Sequence, residues 1–404
     1  MEKIFLKTDL GKSIEEYEFS GLKNALRMGP QNVINKIKES GLRGRGGAGF
    51  PTGIKWETVY SIKNDTKFVI CNADEGEPGT FKDRFLLENL PFKVLEGIII
   101  SGYATGSNYG YIYIRGEYVE SIKIIKRLIE KLYEKNVLGK NILDSGFSFD
   151  LKLVRGAGAY VCGDETSLIN SIEGDRGKSR IKPPLPVFEG LYGQPTVVNN
   201  VETLAAAAEI MKYDNNPYKE MGTERSRGTK LVSISGDVKK PGVYEVEFGS
   251  LTIKEIINDL AGGVQGEKLG FVIPGGISTE VLTEEEVNVS YTYENLQEMG
   301  SNIGSGGMIV VSAERNYLEI AKNVSDFFRD ETCGTCFPCR EGNKNISKIV
   351  SDIYKRGYPT SKEIEIISDI KYAVSSAARC GFGESSLNLI LSLFDKFYNK
   401  KVKV

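Results

Sequence analysis

Apolar residues along this chain change their period, and the changes mark its elements. In residues 31–40, Val33, Ile34 and Ile37 fall at helical spacing, and a helix is predicted there that stops at Gly41. Residues 67–71 are a continuous apolar run, read as a buried strand. Residues 110–115 form a second strand, 120–133 a helix and 149–154 a third strand; a helix then runs through about Ile172. Residues 194–198 lead through Asn199 and Asn200 into an alanine-rich helix. Residues 213–230 are polar and read as a linker. Between 231 and 308 short β-like pieces alternate with Gly and Pro turns around one helix at 252–260, which reads as a small α+β unit. From Asn323 the pattern is helical, and the basic end at Lys400, Lys401 and Lys403 reads as a solvated tail.

Composition narrows the chemistry. The 404 residues carry 52 Lys+Arg against 54 Asp+Glu, a near balance that argues against a dedicated nucleic-acid binder. The longest apolar run, around 97–100, is broken at Ser101 and Gly102, so no membrane span is expected. The opening residues lack the apolar stretch of a signal peptide, and a cytoplasmic protein is expected. The chain has no histidine, which removes Ser-His-Asp hydrolases, Cys-His hydrolases and His-ligated zinc enzymes. Carboxylates, lysines, cysteines or a bound cofactor must carry the reaction.

The 45 glycines cluster. Gly44, Gly46, Gly47 and Gly49 spell G-x-G-x-x-G, but a helix rather than a strand precedes them and Pro51-Thr52-Gly53 follows, so the Rossmann fingerprint is rejected. The physical content survives: backbone N–H groups there can lie against a flat or phosphorylated ligand, with Arg45 and Lys55 beside them to neutralise phosphate. The alternative is a flexible surface loop. After the first strand come Asn72, Asp74, Glu75 and Glu77 in a Gly/Pro turn, a ligand site or plain solvated surface. Gly163, Asp164 and Glu165 repeat that logic after the third strand. Asn199 and Asn200 precede a helix, as a phosphate seat or as simple caps.

Cys333, Cys336 and Cys339 stand in a C-x2-C-x2-C run, and Cys380 follows alone. Three thiolates at that spacing wrap three corners of a cubane and a remote fourth closes it, so a [4Fe-4S] cluster is favoured over zinc. Cys71 and Cys162 each end a short apolar run and read as small buried residues near a site.

These residues carry a resemblance. The stretches 41–56, 71–84, 156–168, Lys182-Pro183-Pro184, 198–203 and 331–342 resemble, in order, the motifs of the NADH-binding flavoprotein subunit of respiratory complex I (51 kDa or NuoF type). The same core occurs in NAD-linked hydrogenases, formate dehydrogenases and electron-bifurcating complexes. The resemblance implies a Rossmann-like α/β domain over 1–225 binding FMN and NAD(H), a β-grasp (SLBB-like) domain over 226–310 and a helical [4Fe-4S] bundle over 311–404. It places FMN and nucleotide contacts on Gly44, Arg45, Gly46, Gly47, Ala48, Phe50, Lys55, Asn72, Asp74, Glu75, Glu77, Tyr160, Gly163, Asp164, Glu165, Lys182, Val198, Asn199, Asn200 and Thr203. Glu77 and Glu165 lie nearest the chemistry, which belongs to the flavin rather than to a catalytic side chain. The cluster ligands are Cys333, Cys336, Cys339 and Cys380.

The implied activity is an NADH dehydrogenase (NADH:acceptor oxidoreductase) flavin subunit, because a flavin links two-electron nicotinamide chemistry to one-electron iron–sulfur chemistry. Implied partners are a thioredoxin-like [2Fe-2S] subunit and a further iron–sulfur electron-transfer or catalytic subunit. The composition leans toward a soluble multi-subunit oxidoreductase, with electron bifurcation that couples NAD(H) and ferredoxin to hydrogen, formate or NADPH chemistry as an open role; the alternative is an NADH dehydrogenase subunit of respiratory complex I. A different class of reading is a β-grasp ligand-binding module with a structural zinc. Leu185 and Thr58 stand where the family often has aromatic residues, which thins adenine stacking. Asp164, an acid toward the adenosine ribose, predicts NAD(H) over NADP(H). Metal analysis of the purified chain separates the two classes: about four iron atoms per chain are expected, and one zinc would establish the other.

Overall fold

The computed structural model describes residues 8–399. The basic tail at Lys400–Lys403 therefore lies outside the described residues. The first part is a four-stranded parallel sheet: β1 (Phe68–Ala73), β2 (Tyr109–Ile114), β3 (Asp150–Arg155) and β4 (Thr196–Asn200), in the order β3-β2-β1-β4. All four strands end on the same edge, and the order reverses between β1 and β4. A crevice opens outside the strand ends at such a reversal. β1 is buried on both faces, with Val69, Ile70 and Cys71 fully enclosed, which is why it reads as a continuous apolar run.

Helices cover this sheet. The helix Pro91–Thr105 packs on the alanine-rich helix Val201–Lys212. Ala205–Ala208 are all buried, and side chains this small let the two helix axes approach. A Cβ on Gly97 would overlap the Leu204 carbonyl oxygen. The tightness matters because Val201–Lys212 begins directly after β4 and fixes where that strand ends.

The second sheet has the order β6-β5-β9-β7-β8, with β5 (Thr229–Gly236), β6 (Gly242–Glu247), β7 (Leu269–Ile273), β8 (Leu282–Thr283) and β9 (Gly307–Ser312). β5 and β9 run parallel and the other pairs are antiparallel, the mixed sheet of a β-grasp. Helices Tyr317–Glu331, Phe337–Arg356, Ser361–Ala377 and Asn388–Phe397 share a separate core of residues such as Phe328, Ile346, Ile367 and Leu393. No helix among the described residues is long and apolar enough to cross a membrane.

Several elements differ from the expectation. The helix after the glycine loop starts at once, at Thr52 (Thr52–Ser61), with Pro51 as its N-cap, so the loop leads into a helix after all; a helix, Pro30–Glu39, precedes it as expected, followed by an isolated bridge between Arg43 and Pro51. Helices Lys82–Asn89 and Pro91–Thr105 carried no clear period, since Pro91–Thr105 is buried on nearly every side. The polar stretch 213–230 is not a free linker. Tyr218 is fully buried within it, and it ends inside β5 with Lys230 buried. The helix expected at 252–260 is one α-turn, Ile253–Glu255, running into a π-turn, Ile256–Leu260, behind a Thr252–Glu255 capping box. Cys339 sits in the first turn of Phe337–Arg356.

Gly97→Ala should destabilise the chain by about 1–3 kcal/mol, because the added methyl meets backbone that cannot retreat. Urea unfolding checks this; an unchanged midpoint would mean the two helices can separate freely.

Candidate functional site

The crevice at the β1–β4 reversal gathers residues from four distant stretches. β1 ends in Asn72 and Ala73 and hands over to Asp74. Asn72 Nδ2 donates to the Gly163 carbonyl at 2.9 Å, and its Oδ1 accepts from the Asp74 amide at 3.1 Å. The turn after β1 is thereby tied to the turn after β3. Both carboxylate oxygens of Asp74 are buried and have no hydrogen-bond partner, and burial pushes this carboxyl up to about 7. An acceptor pair desolvated without compensation costs free energy. Such a pair is open to N–H donors brought from outside the chain.

Glu75 has a different task. Its carboxylate accepts the amides of Asp83 (2.8 Å) and Arg84 (3.0 Å) and the Tyr118 hydroxyl (3.0 Å), so it satisfies the start of the helix Lys82–Asn89. Glu77 is partly buried and bridges regions: it accepts from the Tyr160 hydroxyl and, at 2.9 Å each, from the Ser278 amide and hydroxyl. Burial raises its pKa, and these three hydrogen bonds pull it back.

At the end of β4, Asn199 Oδ1 accepts from Trp56 Nε1 at 2.8 Å. Asn200 caps Val201–Lys212 by accepting from the Glu202 amide at 2.9 Å, and its Nδ2 donates to Asp83 at 2.6 Å. The Val198 carbonyl accepts from Lys55 Nζ at 3.0 Å. That ammonium also lies 3.6 Å from Glu165, which accepts from Lys182 Nζ at 3.0 Å. Lys55, Glu165 and Lys182 thus form one charged group at the mouth of the crevice, with Phe50 half exposed and its ring 6.0 Å from Lys55.

The glycine loop closes the remaining side. A Cβ on Gly46 would stand 3.0 Å from the Asn200 Cβ, so the loop lies directly on β4's end. Gly47 has φ 136°, a conformation that residues with a side chain rarely adopt. Cβ positions on Gly44 and Gly163 meet nothing closer than 3.6 Å. A methyl at either position would make ordinary contact with backbone, so no packing conflict requires glycine there. The Arg45 amide donates to Thr203 Oγ1 at 2.8 Å, which explains Thr203's place in the set.

Three expected roles change. Arg45 is 1% exposed, and its guanidinium turns away from the crevice to lie 4.8 Å over the Phe248 ring, so its side chain does not neutralise a phosphate there. Asp164 is the N-cap of Glu165–Ile172: one oxygen accepts from the amides and hydroxyls of both Thr166 and Ser167, which leaves only its other oxygen for a ribose. Glu75 is committed to its helix.

Cys333, Cys336, Cys339 and Cys380 come from a loop, a helix N-cap, a first helical turn and a second N-cap. Burial pushes Cys339 up to about 11, and the negative charge of Cys380, Cys336 and Cys333 adds to it, so the four thiols share one field. Among the described residues no three His, Cys, Asp or Glu side chains converge on a single ion. Thiols gathered from four turns without converging suit a multi-iron cluster better than one zinc at ~2.3 Å from each sulfur. Tyr160 lies between this region and the crevice: its amide donates to Glu331, and its ring packs on Phe327 and Phe382 at 5.2 and 5.6 Å. Sequence reasoning missed Glu331 and Ser278 as members of this junction. Ser278 had no signal in the sequence; Glu331, two residues before Cys333, had one. Cys71 and Cys162 are both buried, as expected of small residues beside a site.

The comparisons agree with this layout. Residues 37–209 match the model of the Nuo51 FMN-binding domain, 230–311 that of the SLBB domain, and 319–403 that of the NADH-ubiquinone oxidoreductase-F iron-sulfur binding region. An F-type subunit of the NADH-quinone oxidoreductase of Rhizobium meliloti is 41% identical over 93% of this chain and 90% of its own. The NADP-reducing hydrogenase subunit HndC of Solidesulfovibrio fructosivorans is 42% identical over 96% and 80%. A chain of an NAD+-reducing [NiFe]-hydrogenase in the H2-reduced state superposes with TM-score 0.85 at 34% identity; the match covers 97% of this chain and 64% of that one.

Asp74 gives a pH test. Its folded pKa lies above the usual carboxylate value, so the folded state holds the proton more tightly and loses stability as pH rises from about 4 to about 7. In the flavin-free chain Asp74→Asn should therefore be stabilising at pH 8 and close to neutral at pH 4 by urea titration; a pH-independent difference would show that Asp74 is solvated.

Proposed function

We propose, for a chain that belongs to the family of NADH-binding flavoprotein subunits typified by the F-type subunit of NADH-quinone oxidoreductase, that the crevice holds FMN, receives NAD(H) above it and delivers electrons to a [4Fe-4S] cluster on the four cysteines. The observation that carries this reading is the unpartnered Asp74 carboxylate just past the end of β1, the strand whose neighbour β4 ends in Asn199 and Asn200. FMN, when bound, supplies the conversion between hydride transfer and single-electron transfer.

The chain's own residues supply the rest. Asp74 offers buried acceptors to the ring edge of the flavin. The loop amides and Lys55 would receive its phosphate. Glu77, Tyr160 and Lys182 line the approach of the nicotinamide, and Phe50 gives it an apolar face. Asp74, Glu77 and Tyr160 are each partly buried, and the Tyr160 hydroxyl donates to Glu77, which fixes this side of the crevice. The acids Glu165 and Asp164 at the charged mouth favour a ribose hydroxyl over a 2′-phosphate, so NAD(H) is the preferred nucleotide. The α/β unit ends near residue 225, the β-grasp unit near 310, and the helical unit carries the cluster. Relatives from a quinone oxidoreductase and a hydrogenase match almost equally, which supports one shared half-reaction whose acceptor is set by partner iron–sulfur subunits.

Reconstituted with FMN and iron–sulfide, the chain should bleach an artificial acceptor when given NADH, with kcat/KM for NADPH at least about tenfold lower. Cys336→Ala should lose the cluster's EPR signal and keep its flavin. Glu77→Gln should change nucleotide KM more than flavin content. A colourless chain that reduces no acceptor would end the reading.

A further inference from the structure

The glycine loop presents a physical problem. Gly44, Gly46, Gly47 and Gly49 lose a large entropy on ordering, and their amides hold a ligand only once ordered. Within the α/β unit the loop is closed by the Gly44 amide on the Phe50 carbonyl at 2.8 Å, and it rests on Thr203 through the Arg45 amide and on Asn200 at Gly46. Further support comes from outside that unit.

Tyr293, at the start of the helix Tyr293–Glu298, donates its hydroxyl to the Gly44 carbonyl at 3.2 Å. Its ring carries the Arg43 guanidinium at 4.0 Å, and Arg43 Nε donates to the Gly49 carbonyl at 2.7 Å. Both ends of the loop are thus tied to one aromatic ring. In the middle, Arg45 stacks 4.8 Å over Phe248 and donates to the Arg227 carbonyl at 2.8 Å, while its Nε and Nη1 are buried without partners. A cation desolvated that far is held for its packing. Beneath the loop, Lys230 of β5 reaches Glu202 at 2.5 Å, and the Leu231 amide donates to Glu202 at 2.8 Å. Glu202 follows Asn200 by two residues, so β5 also grips the helix start that the loop rests on.

Resting on the FMN reading above, we infer that the β-grasp unit is the brace of the glycine loop: Tyr293 and Phe248 are positioning residues that order the loop for flavin phosphate through Arg43 and Arg45. This gives the unit a task in the flavin half-reaction although it contributes no group to the crevice floor.

The test uses the full chain with FMN as probe, reading the dissociation constant by flavin fluorescence and amide hydrogen exchange over residues 43–50 with and without FMN. Tyr293→Phe removes one oxygen and keeps the ring; it should weaken FMN about fivefold and speed loop exchange. Arg45→Met should do both more strongly, and Arg45→Lys should recover part of the loss because an ammonium still sits on Phe248. Arg315→Ala breaks an ion pair to Asp237 of the β-grasp unit, away from the loop, and should leave both readouts at wild-type values. Wild-type affinity and exchange in Tyr293→Phe and Arg45→Met would overturn the inference, as would an equal loss in Arg315→Ala. If the wild-type chain takes no FMN, the functional reading fails, and exchange of the flavin-free loop across the same variants still decides the brace.

Discussion

Parallel pairing of β1 with β4 is the constraint from which the site follows. Cys71 stands opposite Asn199 and Asn72 opposite Asn200, so two asparagine-bearing strand ends emerge side by side. The register is pinned by burial: β1 is enclosed on both faces, and a slip of one residue would turn every side chain to the opposite face. With β2 on its other side, β1 leaves its carboxyl end facing a gap between two directions of chain winding. Asp74, the glycine loop and the turn at Gly163 occupy that gap.

The crevice is surrounded by buried charge, and nearly all of it is committed. Around the end of β4, Glu202 is enclosed; burial opposes its charge, but Lys230, Lys82 and Arg45 offset this and hold its carboxyl below the usual range. Lys82 in turn meets Asp83 at 2.6 Å. Removing one member of such a buried set is costly, whereas the complete set is roughly self-compensating. Against this background the unpartnered Asp74 stands out, because its neighbours Glu75 and Glu77 are both fully engaged.

The same economy joins the regions. Glu77 holds Tyr160 on one oxygen and Ser278 on the other, and Tyr160 receives Glu331 at its amide. One residue after the flavin-side strand, one after β3, one in the β-grasp unit and one beside the cysteines therefore meet at a single point. Aromatic rings at Phe327, Phe328 and Phe382 fill the space from there toward Cys380. Rigid packing between the crevice and the cysteines keeps their separation constant, which electron transfer between groups held at those two places would require.

How much of this was legible depends on whether a signal was local. Strands β1 to β4 and the helices at Pro30–Glu39 and Val119–Glu134 showed because their apolar periods are their own. The cysteine spacing, the absence of histidine and the ordered motifs determined the chemistry and the family, since ligand type and spacing are properties of the chain. Tertiary structure decided what each polar residue does. Arg45 looks like a phosphate ligand and is a buried cation on Phe248; Glu75 and Asp164 look like ligand acids and serve helix starts; Lys230 looks like the end of a linker and is a buried partner of Glu202. A charged side chain's partner is chosen by what folds against it from far along the chain, and a sequence lists residues without listing which of them will share a dry interior.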